Sequence, residues 1–129
     1  MKRTAALLAT SAVAVTGFGI AGASAAQADM DIEREKSKRC SGSSFATLSL
    51  EKEFGRIDAD FEIENATPGR SWNVRIKHNG NTVLRTSRVA DYEGDLDVMQ
   101  QVRDRAGKDR FIARAKGPNG EVCRVKLGI

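Results

Sequence analysis

The sequence predicts an all-β fold: a small antiparallel β-sandwich of about seven strands closed by one disulfide. Three observations predict it. Apolar and polar residues alternate at period two through most of the chain after Cys40, as they do in half-buried strands. Turn-forming residues interrupt that alternation at the roughly 8–12-residue spacing of sandwich folds. Finally, Cys40 and Cys123 form an even pair in a chain that begins like an exported protein, which reads as a disulfide.

The export pattern occupies the amino terminus. Lys2-Arg3 precedes an Ala-rich apolar run from Ala5 to Ile20, and Ala23-Ser24-Ala25 and Ala26-Gln27-Ala28 follow. A charged start, an apolar middle and an A-x-A exit predict a secretory signal peptide over residues 1–28, with the product beginning at Asp29, or at Ala26 if the earlier site is cut. From 129 residues that leaves about 100, enough for one domain and too few for a two-domain enzyme. The net charge of +4 falls by the two cations that leave with the signal. No other apolar stretch nears the roughly 20 residues of a membrane span, and no Cys lies at the exit to carry lipid. The expected product is secreted, extracellular and soluble.

Residues 29–39 come next, dense in charge of both signs with only Met30 and Ile32 to bury. They are expected to be a charged, disordered leader, with the sandwich domain over residues 40–129. The first strand is marked by Ala46, Leu48 and Leu50. The second is the clearest: Ile57, Ala59, Phe61 and Ile63 alternate with Asp58, Asp60, Glu62 and Glu64. In the third, Trp72, Val74 and Ile76 alternate with Asn73, Arg75 and Lys77. Asn79-Gly80 supplies a two-residue hairpin turn, and a fourth strand returns through Thr82 to Val89. Leu96 and Val98 mark the fifth, although Asp95 to Arg105 also reads as a short helix. Phe111, Ala113 and Ala115 mark the sixth, and Cys123, Val125 and Leu127 the seventh. Pro68-Gly69, Glu93-Gly94, Ala106-Gly107 and Gly117-Pro118-Asn119-Gly120 supply breaks. An immunoglobulin-like arrangement would bury Trp72 in its third strand. Two hallmarks of that fold are missing, the Cys pair of strands two and six and the corner Tyr.

Several of these segments resemble one family. Cys40-Ser41-Gly42-Ser43-Ser44, Trp72 with Val74, His78-Asn79-Gly80, Arg105-Ala106-Gly107, Phe111 with Ala113-Arg114, and Gly120-Glu121-Val122-Cys123-Arg124 are similar to those of a functionally uncharacterised family of small secreted actinobacterial proteins. The resemblance covers nearly all of Cys40 to Lys126 and implies no catalytic residue.

The chemistry in the residues points the same way. Ser43 and Ser44 have no G-x-S-x-G around them, and the only His, His78, stands on a hairpin shoulder, where a local hydrogen bond is its expected role. Ser–His catalysis needs that base within about 3 Å. Asp58, Asp60, Glu62 and Glu64 have a glycosidase's carboxylate spacing, but a flat exposed face neither desolvates one of them nor binds sugar. Asp91, Glu93, Asp95 and Asp97 crowd one loop, without the order of a calcium loop. No catalytic residue, metal or cofactor is therefore expected.

The cations carry the functional signal. With Trp72, Phe111 and Cys123 facing the core, the opposite parity of the third, sixth and seventh strands holds Arg75, Lys77, Arg110, Arg114, Lys116, Arg124 and Lys126. No anion stands among them. The outer parity of strands one, two and five holds Glu51, Glu53, Asp58, Asp60, Glu62, Glu64, Asp95 and Asp97, with Arg56 the only cation. An immunoglobulin-like sandwich puts those sets on different sheets, one face acidic and one basic. A meander would instead pair Arg75 and Lys77 with the acids of strand two. The divided sandwich predicts a secreted, non-catalytic binding module whose basic sheet docks an anionic cell-wall or extracellular polymer. It lacks aromatic platforms for specific nucleic-acid recognition. The alternative is a secreted protease inhibitor presenting a rigid loop, at Arg103 to Arg110 or Thr67 to Ser71.

Overall fold

A computed structural model describes residues Ile32–Ile129 and places them in eight strands, seven of which carry the period-two alternation. The expected signal peptide, and residues 29–31 of the expected leader, lie outside the described residues. The strands are β1 (Ile32–Arg39), β2 (Phe45–Glu53), β3 (Arg56–Glu64), β4 (Ser71–His78), β5 (Asn81–Val89), β6 (Leu96–Arg103), β7 (Arg110–Lys116) and β8 (Val122–Gly128). The seven expected strands are β2 to β8. Leu96–Arg103 is extended, not helical.

Two antiparallel four-stranded sheets result, in the orders β1-β2-β3-β6 (sheet A) and β5-β4-β7-β8 (sheet B). The meander is thereby ruled out, because β3 pairs with β2 and β6 while β4 pairs with β5 and β7. Inward-facing side chains of both sheets make one core. Leu48, Leu50, Ile57, Phe61 and Ile63 come from sheet A; Trp72, Val74, Ile76, Phe111 and Val125 come from sheet B. Burying each such large apolar side chain contributes about 1.5–3 kcal/mol.

The turns follow from their residues. Asn79 and Gly80 both take positive φ, 49° and 88°, as a type I′ hairpin requires. Gly117 has a steric role instead: a Cβ built there would lie 2.5 Å from the Trp72 ring, so only glycine lets the indole seat. Cys40, just past β1, is bonded to Cys123 on β8, which staples sheet A to sheet B. At the two open edges β1 lies beside β8 and β5 beside β6.

One expectation is corrected. Over residues 32–39 the chain is not a disordered leader but the edge strand β1, paired with β2 along its whole length. A ladder needs backbone N–H and C=O groups, not apolar side chains, so periodicity of hydrophobicity does not reveal it. All eight residues of β1 are exposed. Charge sign alternates from Glu33 to Lys36. Glu33 and Glu35 stand opposite Glu51 and Ser49 on the acidic side, whereas Arg34, Lys36 and Lys38 stand opposite Leu50, Leu48 and Ala46 and turn the other way.

Candidate anion-binding face

The seven cations named from the sequence all lie on strands β4, β7 and β8 of sheet B, on the parity opposite the core. Strand register brings them into rows. Arg75 stands directly opposite Arg114, and Arg114 opposite Arg124. On the other flank Arg75 stands opposite Arg85 of β5, a residue sequence reasoning missed. Arg85, Arg75, Arg114 and Arg124 thus form one row across all four strands. At about 4.8 Å per strand the row spans roughly 14 Å. Directly opposed like charges destabilise a sheet, and none of these four is ion-paired among the described residues.

Two depressions flank the row. One, of about 470 Å³, is lined by Arg75, Arg85, Arg114 and Lys116 together with Asn73 and Ser87; the Ser87 hydroxyl donates to Asn73 Oδ1 over 2.8 Å. The other, of about 740 Å³, gathers Lys77, Arg110 and Lys126 with two cations that sequence reasoning missed, Lys36 and Lys108. Lys36 reaches it from β1, on the adjoining edge. Lys108 lies in the loop before β7. Neither belongs to a strand of sheet B, so strand parity could not flag them.

The outer face of sheet A has the opposite sign. Glu51 and Asp58 share one row with Glu33 of β1, and Glu62 stands opposite Asp97. Asp60 is pushed above the usual carboxylate range by partial burial and then by the charge of Asp97. Glu62 is pushed up by partial burial, then by Glu64, Asp60, Asp95 and Asp97. The acids therefore feel one another.

The remaining candidates resolve differently. Ser44 lies by the amino end of β8, where Glu121 Oε2 accepts the Ser44 N–H at 2.9 Å. His78 pairs with Phe111 in the ladder at the other end of sheet B, too far for Ser–His chemistry. His78 is also not the local turn residue expected. It is buried, stacks on Phe111 with ring centres 4.6 Å apart, and reaches Asp109, 31 residues on, over 2.6 Å. The carboxylates of Asp91, Glu93 and Asp95 lie within 4.8 Å of one another, but Asp91 Oδ1 accepts the N–H groups of Glu93 and Asp95, a turn-forming role. Both loops considered for protease contact are held by backbone bonds: Asp104 N–H donates to Gly55 O, and Gly69 N–H to Ala90 O.

No helix among the described residues is long and apolar enough to cross a membrane. The chain matches no protein-family model, no curated protein and no solved structure.

Proposed function

We propose that this chain is a secreted, non-catalytic β-sandwich module that docks anionic extracellular polymers on the outer face of sheet B. The row Arg85–Arg75–Arg114–Arg124 carries the reading. Four guanidinium groups at strand spacing repel one another, and a chain of phosphates or carboxylates laid across them removes the repulsion. Arginine also grips such groups bidentately. Recognition of this kind follows charge and spacing rather than the identity of the sugar or base.

Export is supported by the signal pattern at the amino terminus and by the disulfide, a bond at home in oxidising compartments. An immunoglobulin-like lineage is supported by the strand order, in which β5 joins β4, β7 and β8 as an extra strand does in variable-type domains.

Retention on a polyphosphate resin under a salt gradient tests the reading. Binding should fall steeply with ionic strength. Arg114→Glu with Arg124→Glu should abolish retention and leave folding nearly intact. Retention equal to that of the parent would reject the basic face as a binding surface.

A further inference from the structure

Polymer docking would use one face of the sandwich and leave the other unexplained. Asp58, Asp60, Glu62 and Glu64 of β3, with Asp97 of β6, line the outer side of sheet A, and none is ion-paired among the described residues. Beside them stand two exposed apolar side chains, Phe45 opposite Glu64 and Met99 opposite Asp60. Sheet B presents the inverse: Arg75, Arg114 and Arg124 in register, with the half-buried Ile112 between Lys77 and Lys126. The faces are on opposite sides of one core. Packed sheets stand about 10 Å apart, and side chains on both outer surfaces add to that, so the two charge sets are separated by more than a Debye length of about 8–10 Å.

We propose that the acidic face of sheet A docks the basic face of sheet B of a second copy of this chain, giving head-to-tail self-association. Charge complementarity selects that partner and that arrangement. A two-fold contact, sheet A on sheet A or sheet B on sheet B, sets like charges against like. A heterologous contact sets the acids of β3 and β6 against the cations of β4, β7 and β8, and lets Met99 and Phe45 meet the apolar Ile112. It also offsets the repulsion among these acids, which adds to partial burial in raising Asp60 and Glu62. Such a contact leaves a free face at each end, so it propagates into rings or filaments.

Sedimentation velocity of the disulfide-bonded protein tests this at low salt (about 20 mM) and high salt (about 500 mM), where screening is strong. The parent should associate at low salt and return to monomer at high salt. Two neutralised variants separate the faces: Asp60→Asn, Glu62→Gln, Asp97→Asn on sheet A, and Arg75→Gln, Arg114→Gln, Arg124→Gln on sheet B. Each alone should be monomeric. An equimolar mixture should give one-to-one dimers and nothing larger, since each variant supplies the face the other lacks. That restoration also shows that both variants fold. A parent that stays monomeric at low salt, or a mixture that stays monomeric, overturns the proposal. The sheet A variant should keep its retention on polyphosphate, so loss of self-association is distinguishable from loss of polymer binding.

Discussion

The His78 Nε2–H donates to Asp109 Oδ1 across 2.6 Å in the interior, tying the last residue of β4 to the residue before β7. Asp109 is fully buried. Burial, the strongest influence on it, works to raise its carboxyl. Hydrogen bonds from the His78 ring and the Arg105 N–H, with the charge of His78, outweigh burial and hold the group below the usual carboxylate range. Its backbone also exchanges two hydrogen bonds with Ile129, so one residue fastens the hairpin shoulder, the loop before β7 and the carboxyl end. Removing one partner of a buried charged pair costs about 3–5 kcal/mol. His78→Ala should lower unfolding free energy by that amount in urea titration, and a loss under about 1 kcal/mol would show that the pair is not structural.

Acid titration should show two opposed effects. Asp109 is a stronger acid folded than unfolded, so its contribution to stability is present above about pH 4 and is lost as pH falls through the lower folded value. Asp60 and Glu62 are weaker acids folded than unfolded, so their protonation as pH falls toward 4 favours the fold. The urea midpoint should therefore hold or rise between about pH 6 and 4 and then drop. Asp60→Asn with Glu62→Gln should flatten the upper limb only. A midpoint that falls steadily from pH 6 contradicts the crowding on sheet A.

Gly117 sets the seat of the one Trp. A methyl group added there collides with the ring unless the ring shifts, and overpacking of this kind costs about 1–3 kcal/mol. Gly117→Ala should move Trp72 fluorescence to longer wavelength, and Trp72→Ala should cost about 3–5 kcal/mol. Unchanged emission in the Gly117 variant would show that this approach is not tight.

The disulfide spans 83 positions, and in the chain-entropy model a loop of that size contributes roughly 4–5 kcal/mol. Cys40→Ser or Cys123→Ser should cost about 2–5 kcal/mol. Thiol titration of native protein should find no accessible thiol. Two reactive thiols would refute the bond.

Most of the architecture was legible because strand parity is a strict code. Trp72, Phe111 and Cys123 fix which side chains face inward, and their neighbours then divide by sign without knowledge of tertiary contacts. What escaped the sequence has physical causes. Strand β1 carries no apolar stripe, so its pairing with β2 leaves no trace in hydrophobic period. Arg85 was missed because β5 is an edge strand whose register shifts between Ile76 and Lys77 of its partner, which blurs its alternation. Asp109 reads as one more loop acid, since nothing local marks a partner 31 residues away. The same limit hid Glu121, whose carboxylate accepts the N–H groups of Gly42 and Ser44 and fixes the turn that carries Cys40.

The covalent bond between Cys40 and Cys123 has a consequence for survival among proteases. Every turn from Phe54-Gly55 to Gly117 lies inside the ring it closes, so a single cut at any of them yields a nicked chain rather than two fragments. The product is heavier by one water and separates only after reduction. A nick in the exposed Ala106-Gly107 loop would leave both sheets tethered at the β1–β8 edge and both charged faces on one particle. Durability under attack is thus built into chain connectivity, apart from the strength of the core.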